Sequence, residues 1–130
     1  LVPLYGTNPP RGQVLMAMYH LDGQPMSSDP RLALKRQVER LAANGLHPAG
    51  AFELEFFLLA NERDADGKVQ PAHAVLDGRR SAKTEVYSVD HLHGMEPLFS
   101  DIYAAAKAQG IPAETVISEY APGQYELTLT

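Results

Sequence analysis

Apolar residues recur at helical spacing after Asp29 and Pro30, which predicts an amphipathic helix. Asp29 supplies a capping carboxylate and Pro30 occupies the first helical position, while Asn44 and Gly45 end the pattern. The apolar stripe of this helix consists of Leu34, Val38, Leu41 and Ala42.

A second helical pattern extends from about Asp90 to Gln109. Pro97 falls inside it, so we expect a kink or a late start there, and Gly110 ends it. We interpret its apolar stripe as core packing rather than as a cofactor site; the stripe consists of Leu92, Met95, Phe99, Ile102 and Ala106.

Short apolar or alternating runs predict four strands, at residues 14–20, 51–60, 111–120 and 124–130. Residues 14–20 (VLMAMYH) read as a buried strand. Residues 1–13 and 61–87 are rich in Pro, Gly or Asp and are predicted to be loops. The order strand, helix, strand, helix, strand, strand predicts an α+β or α/β layered domain.

Both ends of the chain read as interruptions. The chain begins at Leu1, and the alternation of its last residues continues to Thr130 without a turn signal. We therefore expect residues 1–130 to be a fragment of one domain, with a sheet left incomplete.

The composition excludes several classes of protein. The 130 residues are 45% hydrophobic and 21% charged, as in a folded soluble domain. A net charge of -5 without a Lys/Arg cluster argues against a nucleic-acid partner. No apolar stretch reaches the roughly 20 residues of a membrane span. The chain has no cysteine, which fits a cytoplasmic protein.

Glu53 and Glu55 are two residues apart in a predicted strand, so their side chains leave the same face. The opposite face is wholly apolar and is expected in the core. The glutamate face continues into Phe57 and Leu59, so we expect it to be partly covered. Burial and mutual repulsion would then raise both carboxyl pKa values, and a bound cation would relieve this. The segment alone leaves a metal site and a solvent-facing strand equally open.

Glu119 and Glu126 are seven residues apart, a spacing that puts them on opposite faces of a continuous strand. Pro122 and Gly123 lie between them and predict a break that can return Glu126 to the side of Glu119. Three or four carboxylates suit Mg²⁺ or Mn²⁺ rather than Zn²⁺.

Two other patterns give weaker evidence for a functional site. His91 and His93 flank a leucine at a helix start, and we interpret them as surface histidines because they do not share a helix face. Residues 64–67 (DADG) resemble the opening of a calcium loop, but His73 stands where that loop needs glutamate. We expect a turn there.

Three segments in register resemble the glutamine synthetase family. Residues 53–58 (ELEFFL) resemble its E-x-E-F-F-L strand, residues 119–126 (EYAPGQYE) its H-E-V-A-P-G-Q-x-E segment, and residues 29–31 (DPR) its D-P-R element. Residues 85–90 (EVYSVD) look closest to the γ-glutamylpolyamine synthetase branch. One departure is Ser118, where many relatives have histidine.

The resemblance implies a partial glutamine synthetase catalytic domain, with a curved and mostly antiparallel sheet backed by two helices. It implies that Glu55, Glu119 and Glu126 hold the metal beside the substrate's γ-carboxylate. Glu53 would help to hold a second metal at the ATP phosphates, and Glu114 would lie near the nucleotide.

The implied activity is that of an ATP-dependent ligase. It joins the γ-carboxylate of glutamate to ammonia or a primary amine through a γ-glutamyl phosphate. Relatives form rings with active sites between subunits, so a homo-oligomer is expected. Two alternatives remain: a non-catalytic structural or assembly fragment, and a metal-dependent phosphohydrolase.

Overall fold

The structure, a computed structural model, describes residues 2–130, which form seven strands and three helices. The strands are β1 (Val2–Leu4), β2 (Arg11–Gln13), β3 (Phe52–Phe57), β4 (Leu59–Arg63), β5 (Val69–Pro71), β6 (Ala113–Ser118) and β7 (Gln124–Leu129). The helices are α1 (Pro30–Ala42), α2 (Val89–Gly94) and α3 (Glu96–Gln109). None of the helices in this part of the chain is long and apolar enough to span a bilayer.

The sheet that matters for the site has three strands in the order β3-β7-β6, all antiparallel. Two further pairs, β1-β2 and β4-β5, form small antiparallel sheets. Strand β7 is central, so it is protected on both edges, whereas β3 is an edge strand in the described residues. The expected α+β fold with antiparallel sheets and few helices is confirmed.

The hydrophobic core lies between this sheet and α3. Met95, Phe99 and Tyr125 form its buried centre, with Phe56 and Val116 packed against them. The Phe99 ring meets the Tyr125 ring edge to face at 5.1 Å between centroids, a favoured aromatic geometry. Since Tyr125 points to the helices, its neighbours Gln124 and Glu126 emerge on the other face of β7.

The second predicted helix is interrupted, as Pro97 indicated. It is divided into α2 and α3 at Met95, two residues before the proline, and Gly110 ends α3 with a left-handed φ of 68°. The other predicted loop, residues 61–87, contains more structure than expected. It carries the end of β4 and all of β5, joined by the turn expected at residues 64–67.

Two predictions for the N-terminal part are wrong. The loop predicted at residues 1–13 is not a plain loop over residues 2–13, because β1 and β2 pair as a hairpin, and Leu1 lies outside the described residues. Residues 14–20 are not a buried strand: their backbone joins no ladder beyond a single bridge between Tyr19 and Pro25. Most of their apolar side chains are exposed, Met16 by 77%. The apolar run lacked a neighbouring strand in the described residues, and such a neighbour is what would bury it.

Helix α1 begins where the sequence indicated. Asp29 is 3% exposed, and its carboxylate accepts hydrogen bonds from the backbone N–H of Leu32 and of Met18, each at 2.8 Å. The stripe expected to be buried does not bury, however: Leu34 is 62% exposed, and Leu32 is the buried residue of the helix.

Asp29→Ala should lower the melting temperature, because it removes the cap of α1 and the tie to Met18. The hydrogen bond from Leu32, followed by that from Met18, lowers the pKa of Asp29 below its ordinary 3.8. A lowered folded pKa gives stability above pH 3.8 that is lost as the pH falls through the folded value. Thermal unfolding at several pH values checks this: the deficit should be full at pH 7 and should shrink below pH 3.8.

Asp22→Ala is the matched control, since Asp22 also accepts a backbone hydrogen bond, from Gln24, but is exposed. It should cost much less. Equal losses in the two variants would contradict the assigned role of Asp29.

Candidate functional site

The central strand places Glu126 directly opposite Glu55. The pairing of β3 with β7 makes Glu55 the partner of Glu126 and Glu53 the partner of Thr128. Directly opposite residues of antiparallel strands project to the same face. Glu53, Glu55 and Glu126 therefore share the face of the sheet that is turned away from the helices.

Glu119 joins this face through the register of the β6–β7 hairpin. Ile117 is the partner of Glu126, and the N–H of Glu119 donates to the carbonyl oxygen of Gln124 at 2.9 Å. Odd-numbered residues at this end of β6, and Glu119 directly after it, therefore project to the same face as the even-numbered residues of β7. The odd spacing of seven is compatible with one face because the chain reverses between the two glutamates. We call Glu53, Glu55, Glu119 and Glu126 the carboxylate face.

Gly123 makes the reversal possible. Its φ of 77° lies in the left-handed region, and a side chain there would begin 2.9 Å from the Leu58 carbonyl oxygen and 3.0 Å from the Cβ of Pro71. The Gly123 carbonyl accepts a hydrogen bond from the Leu58 N–H at 2.8 Å. The turn therefore packs on the junction between β3 and β4.

Coverage of the carboxylate face differs from the expectation. Glu53 and Glu55 are exposed, as is Phe57 at 54%, whereas Glu126 is only 8% exposed and Glu119 is half-buried. The opposite face of β3 is also less buried than expected, with Phe52 74% exposed. Position in the sheet explains both results, because β3 is an edge strand and β7 is central.

Glu126 is the electrostatic centre of the face. Burial raises the pKa of its carboxyl above the ordinary 4.5, and the negative charge of Glu53 raises it further, followed by Glu119 and Glu55. Its hydrogen-bond partner is the hydroxyl of Thr128, which donates at 3.3 Å and opposes the shift. Among the described residues, none of the ion pairs involves a member of the carboxylate face.

Two polar residues of β7 belong to the same face and were not assigned from the sequence. The side-chain amide of Gln124 donates through its nitrogen to Glu55 Oε2 at 2.7 Å. The side-chain oxygen of the same amide, Oε1, accepts from the Ala121 N–H at 3.1 Å. Thr128 supports Glu126 as described. The alternation of residues 124, 126 and 128 was the available signal, since all three must share a face of β7.

Four carboxylates that have no Lys or Arg partner among the described residues suit a hard divalent ion, which prefers oxygen ligands. A cation would neutralise the repulsion that raises the Glu126 pKa. Over residues 2–130, however, no three acidic or histidine side chains are arranged so that they could already hold a metal ion. The residue types and their shared face fit the ion, while the set of ligands is not assembled by these residues alone.

The remaining candidates lie elsewhere. Glu114 is exposed near the far end of β6, five residues from Glu119 and so roughly 16 Å along the strand. His91 is not a plain surface histidine: its side chain is 24% exposed, and Nε2 lies 2.9 Å from Glu85 Oε2. His93 is exposed, as expected.

Comparisons with known proteins agree with this geometry. Residues 27–130 match the family model for the glutamine synthetase catalytic domain. Gamma-glutamylputrescine synthetase PuuA of Escherichia coli is 42% identical over 118 residues, which are 91% of this chain and 25% of that protein. Glutamine synthetase of Thermotoga maritima is 32% identical over 116 residues, covering 88% of this chain and 24% of that protein.

A crystal structure described as a novel glutamine synthase homolog has a similar fold, with a TM-score of 0.55 and 26% identity over 82% of this chain and 21% of that chain. This chain therefore spans about a quarter of the length of the curated relatives that it matches. The family-model match covers most of the chain and includes the whole carboxylate face. The chain belongs to the glutamine synthetase family, and residues 27–130 are part of its catalytic domain.

Proposed function

We propose that the protein carrying this chain is an ATP-dependent ligase that joins the γ-carboxylate of glutamate to ammonia or a primary amine. The observation that carries the proposal is the carboxylate face, in which Glu126 is buried among like charges with no cationic partner in residues 2–130. Such a group is poised for a cation.

Each residue of the face has a proposed role. Glu55, Glu119 and Glu126 would hold Mg²⁺ or Mn²⁺ near the γ-carboxylate, and Glu53 would help to hold a second ion. The ions would supply electrostatic stabilisation of the charge on the ATP phosphates and on the transferred group. Gln124 holds Glu55 in place through its amide, and the three strands keep the carboxylates at fixed separations. The exposed Glu114 is proposed near the nucleotide.

The reaction proceeds in two transfers. The γ-carboxylate of glutamate attacks the γ-phosphorus of ATP, so ADP leaves and γ-glutamyl phosphate forms. The unprotonated amine then attacks the acyl carbon, phosphate leaves with the electron pair of the C–O bond, and the amine loses a proton. The negative carboxylate face attracts the protonated amine, which favours capture of the acceptor before it loses that proton and attacks.

A primary amine is the preferred acceptor class in this proposal. PuuA is named for putrescine, and a relative from Pseudomonas, 28% identical over 116 residues, is named glutamate--isopropylamine ligase. The kcat/KM values for putrescine and ammonia distinguish a polyamine acceptor from ammonia. A homo-oligomeric ring and a cytoplasmic location complete the proposal.

Phosphate release by the complete protein tests the reaction. With ATP, Mg²⁺ and glutamate, release should require putrescine or ammonia, and the amine with the higher kcat/KM identifies the acceptor. Phosphate released equally well without any amine would favour a phosphohydrolase instead.

The isolated 130-residue chain, assayed in the same way, should release no phosphate, because it represents a quarter of the length of its relatives. Turnover by the isolated chain would contradict this and would remove the alternative of a non-catalytic fragment. An absence of phosphate release from both the isolated chain and the complete protein would contradict the proposed ligase activity.

A further inference from the structure

Ser118, the last residue of β6, has a side chain that is fully buried, and the residue is 2% exposed. It lies on the helix-facing side of the sheet, opposite Tyr125 of β7. The next residue along the chain is Glu119 of the carboxylate face. Ser118 thus stands at the point where the core and the proposed site meet in the main chain.

Three short hydrogen bonds join Ser118 to a segment about 30 residues away. Its hydroxyl accepts from the Ser88 N–H at 2.6 Å and donates to the Glu85 carbonyl at 3.0 Å. Its own carbonyl accepts from the Tyr87 N–H at 2.9 Å. One buried residue therefore satisfies donors and acceptors of residues 85–88, which have no ladder of their own.

The segment is held in a costly conformation. Tyr87 has a φ of 57°. Within residues 2–130 it is the only non-glycine residue in the left-handed region. Such a conformation persists only where surrounding contacts impose it. The hydrogen bonds of Ser118 to Glu85, Tyr87 and Ser88 are those contacts. The Tyr87 side chain is nevertheless 64% exposed, so burial of the ring does not explain the conformation.

Two side-chain contacts of Glu85 hold the other side of the segment. Glu85 lies 2.9 Å from Lys83 and 2.9 Å from His91, the latter on α2. The segment is thus attached to α2 by Glu85 and to β6 by Ser118. Because peptide 118–119 carries both the carbonyl that binds Tyr87 and the N–H that binds Gln124, movement of the segment transmits directly to Glu119.

From this arrangement we propose that Ser118 is a positioning residue: its hydroxyl ties residues 85–88 to the end of β6 and thereby sets the position of Glu119 on the carboxylate face. The proposal rests on the proposed function only in that Glu119 is a metal ligand. It also explains why a small hydroxyl side chain, with one donor and two acceptor positions, occupies this buried place.

Mn²⁺ affinity of the complete protein, measured by electron paramagnetic resonance of the free ion, tests the proposal without requiring turnover. Ser118→Ala should raise the Kd for Mn²⁺ about 10-fold, the size of effect seen when a residue that orients a metal ligand is lost. Ser100→Ala is the matched control, because the Ser100 hydroxyl bonds to Glu96 on the exposed surface of α3. Its Kd should equal that of the unmodified protein.

A double-mutant cycle separates positioning from a general loss of structure. In a Glu119→Ala background, Ser118→Ala should cause no further loss of Mn²⁺ affinity, whereas in a Glu53→Ala background it should cause its full loss. Equal further losses in both backgrounds would overturn the positioning role. A Glu119→Ala protein with unchanged affinity would instead overturn the metal site, and with it the proposed function. Ser118→Cys serves the same cycle if Ser118→Ala does not fold.

Discussion

Replacing Glu126 by glutamine should stabilise the metal-free complete protein while reducing its ligase activity by a factor of about 100 or more, the upper range for loss of groups that support a metal site. The substitution keeps the shape of the side chain and removes its charge. It ends the repulsion by Glu53, Glu119 and Glu55 and the cost of burying a carboxylate. The carboxylate charge that this substitution removes is also the charge that would bind the metal cation.

The stability gain should depend on pH in a defined direction. Burial and then Glu53 raise the folded pKa of Glu126 above its ordinary 4.5. Between the two values the folded state binds more protons than the unfolded state, so stability falls as the pH rises. In EDTA, the melting temperature of Glu126→Gln should exceed that of the unmodified protein at pH 7, and the difference should vanish below pH 4.5.

Glu39→Gln provides the matched control, because Glu39 is exposed on α1 and pairs with Lys35 at 3.8 Å. Its activity should be unchanged, and its melting temperature should not rise. A Glu126→Gln protein with full activity would exclude Glu126 from the metal site. A lower melting temperature at pH 7 would contradict the electrostatic account.

Mn²⁺ should stabilise the complete protein, and Glu55→Ala should abolish most of this effect. A ligand present at about 100 times its Kd adds about 2.7 kcal/mol to the free energy of unfolding. Glu55 is directly opposite Glu126, and Gln124 holds its carboxylate, so its loss removes a ligand position without opening the core. Thermal unfolding with and without millimolar Mn²⁺ measures the difference.

Glu39→Ala should keep the full Mn²⁺-dependent rise in melting temperature. An equal rise in Glu55→Ala and in the unmodified protein would show that the ion binds elsewhere. Comparing the two variants in EDTA separates any intrinsic loss of stability from the lost contribution of the ion.

The elements of this fold that could be predicted are those marked by local chemistry. Asp29 followed by Pro30 located the start of α1, and Pro97 and Gly110 located the break before α3 and its end. Residues 14–20 were wrongly predicted because an apolar run states only that a strand could be buried. Burial depends on a neighbouring strand, and that information lies outside the segment.

The arrangement of the candidate site residues was predictable in part for the same reason. Period-two spacing placed Glu53 with Glu55, and Pro122 with Gly123 predicted a break that could return Glu126 to the side of Glu119. The structure has a full chain reversal at that break. The spacing did not indicate which carboxylate would be buried. That follows from strand order, since β7 lies between β3 and β6. The role of Ser118 also depended on tertiary contacts, because its partners at residues 85–88 are distant in sequence.

The order of strands has a consequence for folding. Strands β6 and β7 are neighbours in the chain, so the hairpin that carries Glu119 and Glu126 closes over a few residues. Strand β3 meets β7 only when a loop that extends from Phe57 to Gln124 closes, and long loops form later because their closure costs more chain entropy. We therefore expect the two halves of the carboxylate face to come together at different times. Negative charge accumulates in the second step, and divalent cations present during refolding should accelerate that step.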